Sequence, residues 1–202
     1  MFLYYENILT KFDKNILTKY LKSIDDFKYN PKISDPTQSG RLQKWYQKDQ
    51  KYFCPEWKER LDWWKSFEYD TNLLYYQNII QNKINNLGFK VNINSCLINK
   101  YRNGNDYIAP HRDSKLSFGD KPIISILSLG EKRTLRFIKV LENDKDMFLT
   151  KNDKNKQIIN FELSDNSLFI MTDDSQINYS HQLIKDNTVN ERYSLTFREF
   201  IL

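Results

Sequence analysis

The pattern of apolar residues changes at Gly88 from a helical to an alternating period, and this change constrains the fold most strongly. After Gly88 the chain contains short runs rich in Ile, Leu, Phe and Val, separated by turn residues such as Asn103-Gly104. No helical pattern separates these runs, which favours a β-sandwich or jelly roll over an alternating α/β sheet. The predicted strands are 91–101, 107–112, 123–130, 134–140, 157–163, 168–172 and 193–200.

Two amphipathic helices are predicted before Gly88. Apolar residues within 8–24 recur at spacings of one, three and four, which places them on one helical stripe. A second stripe runs from Leu73 to Leu87; Asp70 or Thr71 caps its start, and Gly88 ends it in a left-handed conformation. The stretch between the helices, from Asp25 to about Pro55, is typical of a loop or hairpin rather than core.

Composition excludes several classes of protein. The 202-residue chain is 40% hydrophobic and 15% aromatic with only five Gly and five Pro, so a disordered linker or a repeat array does not fit. No apolar run approaches the roughly 20 residues that a bilayer requires, and the N-terminus lacks an export pattern. Cys54 and Cys96 have no metal-ligand or redox spacing. We therefore expect an intracellular protein without a membrane segment.

The net charge of +5 is compatible with a polyanionic partner such as nucleic acid. Many basic proteins bind no polyanion, however, and the abundance of Lys, Asn, Ile, Tyr and Phe is also what AT-rich codons produce. Charge alone therefore leaves the partner open.

His111 and His181 are the two histidines of the sequence, so any imidazole chemistry uses one or both. Asp113 lies two residues after His111 near a predicted strand end, and side chains two apart on a strand share a face. Two imidazoles and one carboxylate form the facial triad that suits Fe(II) and oxygen chemistry. The alternative is an ordinary surface hydrogen bond for His111 and Asp113 and a structural role for His181.

Two arginines near the C-terminus favour the metal-binding interpretation of His111, Asp113 and His181 over the structural one. On a strand, Arg192 and Arg198 face the same side as Ser194 and Thr196. A buried row of two guanidinium groups requires an anion, and Arg binds carboxylates through two hydrogen bonds. The alternative is a solvent-facing strand that carries two basic residues.

With these residues the sequence resembles the AlkB family of Fe(II)- and 2-oxoglutarate-dependent dioxygenases. The resemblance covers about residues 88–200 and keeps the order and spacing of five elements. They are 97–104, His111-Arg112-Asp113, 126–130 with Arg133, His181, and 192–198.

The resemblance implies cofactors, a reaction and a site. His111, Asp113 and His181 become the iron ligands. 2-Oxoglutarate and O2 become the cosubstrates, and oxidation of an N-alkyl carbon releases an aldehyde. The matching positions for 2-oxoglutarate are Asn99, Tyr101, Arg192, Thr196 and Arg198.

The resemblance also implies a nucleotide-recognition lid around residues 40–46. Trp45 and Tyr46, with Tyr52 and Phe53 beyond them, are candidates to stack on an unstacked base, while Arg41 meets phosphate. The alternative is that these aromatic residues cover the core from outside.

One position departs from the family pattern. Where DNA-repair members of the family carry an acidic residue four positions after the first His ligand, this chain has Lys115. An ammonium that faced the site would repel a cationic alkylated base, whereas one that faced outward would meet a phosphate. In the second case Arg112 or Ser114 lies near the base.

The resulting expectation is an α+β fold in one compact domain. Residues 1–90 supply N-terminal helices packed on one face and the lid, and 91–202 form a double-stranded β-helix, or jelly roll, with the catalytic site. We expect a monomer that removes N-methyl groups from alkylated DNA or RNA. A hydroxylase of protein side chains or another small substrate is the alternative, and a silent nucleic-acid-binding module is a third.

Overall fold

The structure is a computed structural model that describes residues 1–28, 40–48, 66–140, 157–172 and 174–201. Three residues discussed above, Tyr52, Phe53 and Cys54, lie outside the described residues.

The described residues form ten strands and four helices. In chain order they are β1 (Phe2–Tyr5), α1 (Lys11–Ser23), β2 (Leu42–Gln47), α2 (Thr71–Asn86), β3 (Ser95–Tyr101), β4 (Ile108–His111), α3 (Lys115–Phe118), β5 (Ile124–Gly130), β6 (Arg133–Lys139), β7 (Ile158–Leu163), β8 (Ser167–Met171), α4 (Ser175–Asn178), β9 (Tyr179–Leu183) and β10 (Arg192–Arg198). The seven predicted strand segments therefore all contain strands.

The strands make two antiparallel sheets. Six form the order β1-β8-β5-β10-β3-β2, and four form the order β4-β9-β6-β7. Side chains from both sheets, including Phe137 of β6 and Phe169 of β8, form one buried cluster. Two sheets that enclose a common core agree with the predicted jelly roll, and the α+β class is confirmed.

The two long helices begin and end where the sequence indicates. Thr10 caps α1, because its Oγ1 accepts a hydrogen bond from the backbone N of Asp13 at 3.1 Å. Asp70 caps α2 in the same way, accepting from Leu73 N at 2.9 Å, and Gly88 follows with φ of 85°. No helix within the described ranges has the length and apolar character needed to span a bilayer.

Apolar side chains of α1 and α2 belong to one buried cluster with side chains of the six-stranded sheet. Leu17, Leu21, Ile80 and Ile84 lie in it with residues of β3, β5, β8 and β10. Leu195 and other apolar residues of one face of β10 enter this cluster, which we call the helix-side cluster. The other face of β10 carries the polar residues of the strand.

The interpretation of residues 25–55 as a loop or hairpin is wrong for 42–47. These residues form β2, which pairs with β3 along its whole length. The segment has no clear apolar alternation because Gln43 and Gln47 are buried in it, so its strand character depends on pairing rather than on pattern. With β1 at the other edge, the N-terminal part of the chain supplies two strands of the main sheet.

Candidate active site

The three predicted metal ligands converge at one end of the four-stranded sheet. His111 ends β4 and lies directly opposite His181 of β9 in the antiparallel register, with ring centroids 4.3 Å apart. Asp113 follows β4, and its Oδ1 is 3.6 Å from His111 Nε2. One ligand atom from each of the three residues lies within 4.8 Å of the others. This spacing suits a single ion bound by two imidazoles and one carboxylate.

The protonation states of these groups suit a metal. The Nδ1–H of His111 donates to the carbonyl of Ala109 at 2.9 Å, which leaves Nε2 as the free lone pair. Burial lowers the pKa of His181 to about 3, so its ring is neutral at neutral pH. Metal ions bind neutral imidazoles.

Asp113 is kept ionised by its neighbours. Burial alone raises the pKa of this carboxyl, but the guanidinium of Arg198, the strongest of the opposing groups, helps hold it below its usual range. Arg198 Nε donates to Asp113 Oδ2 at 2.8 Å, and the backbone N of Asp113 donates to Gln176 Oε1 at 3.0 Å. Arg198 thus orients the carboxylate and Gln176 holds the backbone of Asp113, while Oδ1 faces His111.

Arg192 is a buried cation that lacks a protein anion. Its Nη2 donates to Ser128 Oγ at 2.8 Å, and its guanidinium lies 5.1 Å from the ring centroid of Tyr101. Burial lowers its pKa to about 10. Among the described residues, nothing accepts a hydrogen bond from Nε or Nη1, and no carboxylate pairs with this arginine. Such a group calls for an anionic ligand.

One cavity is lined by both Arg192 and the two histidines. Its lining includes His111, His181 and all five residues predicted to hold 2-oxoglutarate. Ser194 also lines it, and the Nδ2 of Asn99 donates to Ser194 Oγ at 3.3 Å. The polar face of β10 therefore points into the cavity, while Tyr193, Leu195 and Phe197 lie in the helix-side cluster. The cation and hydroxyl groups fit a dicarboxylate such as 2-oxoglutarate.

Trp45 and Tyr46 lie in the core rather than at a substrate surface. Trp45 is 0% exposed in a cluster with Leu97, Phe118 and Phe200, and Tyr46 is 4% exposed in the helix-side cluster. Neither ring has a free face for a base, so the predicted stacking role is corrected for both. The physical reason is the pairing of β2 with β3, which draws the segment into the sheet.

A Trp45→Ala substitution is expected to lower the free energy of unfolding by about 3–5 kcal/mol, because it leaves a cavity in a packed core. Urea denaturation measures this, and Trp45→Phe is the matched control with a smaller loss. A stable Trp45→Ala protein with weakened binding of oligonucleotides would instead support the stacking role.

The other predicted substrate residues separate into two groups. Arg41 lines the cavity that His111 and His181 also line, and its Nε donates to Asn99 Oδ1 at 2.6 Å. Arg112 is half-buried and Ser114 is buried, but neither is part of the described cavity lining. Lys115 is exposed, with Nζ 3.3 Å from Asp120 Oδ1. The question left open for Lys115 is thus answered: its side chain faces outward.

Arg133 is a structural residue whose role the sequence did not show. Its Nη2 donates to the carbonyls of Asp106 at 2.8 Å and Ile184 at 2.6 Å, and its Nε is 2.6 Å from Asp186 Oδ2. A Cβ at Gly104 would lie 2.2 Å from the carbonyl oxygen of Asp186. These contacts join the loop after β3 to the loop after β9. His181 lies in β9 itself.

The sequence matches the family model described as "2OG-Fe(II) oxygenase superfamily" over residues 12–198. The chain belongs to this superfamily. The superfamily implies Fe(II), 2-oxoglutarate and O2, and the residues brought together at the end of β4 and β9 fit that set.

Individual relatives confirm the AlkB resemblance. The chain is 33% identical over 106 residues to the alpha-ketoglutarate-dependent dioxygenase alkB homolog 3 of Homo sapiens, covering 52% of this chain and 36% of that protein. It is 27% identical over 109 residues to the DNA oxidative demethylase ALKBH2 of Mus musculus, covering 54% and 44%. The alignments thus span less than half the length of these curated relatives.

The fold is also similar to that of a solved structure. OsALKBH1 superposes with a TM-score of 0.67 at 15% identity, covering 98% of this chain and 97% of that one. At this identity the similarity concerns the fold alone.

Proposed function

We propose that this superfamily member is an AlkB-type dioxygenase that oxidatively removes N-alkyl groups, chiefly methyl, from DNA or RNA bases. The observation that carries the proposal is the convergence of His111, Asp113 and His181 at the cavity where the Nε and Nη1 of Arg192 have no acceptor among the described residues. A silent binding module has no use for that combination.

Different residues of the site bind Fe(II) and 2-oxoglutarate. His111, Asp113 and His181 bind the metal, and Arg192 receives the distal carboxylate of 2-oxoglutarate through its free Nε and Nη1 groups. Asn99, Tyr101 and Thr196 line the same cavity and complete the polar contacts. Bound Fe(II), with 2-oxoglutarate and O2, supplies the oxidation of a substrate C–H bond.

The products follow from the chemistry of the substrate carbon. One oxygen atom of O2 enters succinate as CO2 leaves 2-oxoglutarate, and the other converts N–CH3 to N–CH2OH. This hemiaminal breaks its C–N bond to give formaldehyde and the unmodified base. The names of the two curated relatives, one of them a DNA oxidative demethylase, support a nucleic-acid substrate, as does the net charge of +5.

The test is formaldehyde release from methylated oligonucleotides in the presence of Fe(II), 2-oxoglutarate and air. We expect equimolar formaldehyde and succinate with a methylated strand, and neither product above background with the unmodified strand or after chelation of the metal. Succinate formation that peptides stimulate, and that a panel of methylated DNA and RNA strands leaves unchanged, would contradict the proposal and favour the side-chain hydroxylase.

A further inference from the structure

Arg41 places a third guanidinium at the cavity, and this one is held by neutral groups. Its Nε donates to Asn99 Oδ1 at 2.6 Å, and its Nη2 donates to the amide oxygen of Gln43 at 2.7 Å when that amide is oriented to accept. Burial lowers the pKa of Arg41, but a guanidinium keeps its proton in proteins. No carboxylate within the described ranges lies at ion-pair distance from it.

The other two cavity arginines have anionic partners once the cosubstrate is bound. Arg198 pairs with Asp113 at 2.8 Å, and Arg192 is the group that receives the distal carboxylate. Arg41 then has no carboxylate at ion-pair distance among the described residues, and Asp113 acts on it only from farther away. No Asp or Glu belongs to the described cavity lining.

DNA-repair relatives carry an acidic residue at one position where this chain has a lysine. That position therefore supplies no negative charge to balance Arg41. That position is Lys115, which is 61% exposed at its side chain and pairs with Asp120 outside the cavity. Neither an attractive carboxylate nor a repelling ammonium therefore reaches the substrate from here. Arg41 is the charged group on the described cavity wall that remains to act on the substrate.

We infer that Arg41 makes this site select alkylated bases that are uncharged over alkylated bases that carry a positive charge. The inference rests on the proposed function and names the class of base within it. An uncharged N-alkylated base offers carbonyl oxygens that accept hydrogen bonds from a guanidinium. A cationic base meets a like charge on the buried side chain of Arg41, where repulsion is stronger than in bulk water.

The expected selectivity is measurable. Two like charges about 8 Å apart at an effective dielectric constant of about 20 repel one another by about 2 kcal/mol. This repulsion corresponds to about a thirtyfold difference in kcat/KM between the uncharged and the cationic base. Allowing for screening at the cavity mouth, we expect at least about a tenfold difference in kcat/KM.

The experiment compares one oligonucleotide sequence that carries either N3-methyluracil or N3-methylcytosine. Both have a methyl group on the same ring nitrogen, but only the second is a cation at neutral pH. Formaldehyde release at saturating 2-oxoglutarate gives kcat/KM for each strand. Anaerobic titration of fluorescent strands into enzyme with Fe(II) and 2-oxoglutarate gives the corresponding affinities without turnover. We expect the N3-methyluracil strand to be preferred in both measurements.

Variants locate the preference at Arg41. Arg41→Gln is expected to bring the ratio of the two kcat/KM values close to one, whereas Arg41→Lys, which keeps the charge, retains most of the preference. Lys121→Gln is the matched control, because it removes an exposed cation that pairs with Asp174; its ratio should equal that of the wild type. Because each ratio compares strands on one protein, any general loss of cosubstrate affinity cancels.

Three outcomes overturn the inference. Equal turnover of both strands, or preference for the cation, overturns it and leaves the proposed function intact. Arg41→Gln could lower the affinity for both strands equally and reduce the salt dependence of binding by the amount expected for about one phosphate contact. That result overturns the inference by showing that Arg41 binds the nucleic-acid backbone. If neither strand is turned over or binds better than the unmodified one, the proposed function fails together with the inference.

Discussion

A His181→Ala substitution is expected to reduce succinate and formaldehyde formation by about a thousandfold or more. His181 lies opposite His111 in the register of β4 and β9, so its removal takes away one of three ligand groups within 4.8 Å. Two remaining ligands do not fix the ion in the geometry that the reaction needs. Product formation at saturating Fe(II) and 2-oxoglutarate measures the loss.

Gln182→Ala is the matched control for His181→Ala. Gln182 is the next residue of β9 and pairs with Arg136 of β6, away from the ligand cluster. This variant should keep near wild-type activity, while circular dichroism confirms that both variants fold. A folded His181→Ala protein with more than a tenth of the wild-type rate would show that His181 is not a metal ligand.

An Arg192→Leu substitution is expected to raise the KM for 2-oxoglutarate by about a hundredfold or more. Removing one partner of a buried charge pair costs about 2–5 kcal/mol, and Arg192 is the cavity cation whose Nε and Nη1 lack acceptors among the described residues. Initial rates at increasing 2-oxoglutarate give the KM. Arg136→Leu, which removes a half-buried arginine of β6 that is not part of the described cavity lining, is the control.

Thermal unfolding provides a second measurement for Arg192. Ligand binding to the folded state raises Tm, so 2-oxoglutarate with a redox-inert divalent metal should raise the Tm of the wild type but not that of Arg192→Leu. Without ligand the variant should be at least as stable as the wild type, because an apolar group replaces an unpaired buried charge. An equal Tm rise in both proteins would contradict the assignment of Arg192.

The sequence predicts the parts of the site that depend on strand alternation. The period of two placed Arg192, Ser194, Thr196 and Arg198 on one face of β10, and the structure has all four at the cavity. Spacing also placed His111 and Asp113 together. What it could not supply was the pairing of β4 with β9, which brings His181 to them, because that contact joins segments far apart in the chain.

Other features are decided by tertiary contacts that leave no local pattern. Residues 42–47 contain as many polar as apolar side chains, yet they form a strand because they pair with β3, and Trp45 then packs in a cluster with Leu97 and Phe118. In the same way Arg41, expected at a phosphate, lies beside Asn99 because β2 is drawn into the sheet. The outward direction of Lys115 is set by its place at the start of α3.

Anaerobic titration with Fe(II) followed by absorbance in the presence of 2-oxoglutarate tests the metal and cosubstrate assignment most directly. The wild type should develop one visible charge-transfer band that saturates at one Fe(II) per chain and requires both components. The band should be lost in Asp113→Ala and should need far more 2-oxoglutarate in Arg192→Leu. A band of full intensity in Asp113→Ala, or no band in the folded wild type, would contradict the account.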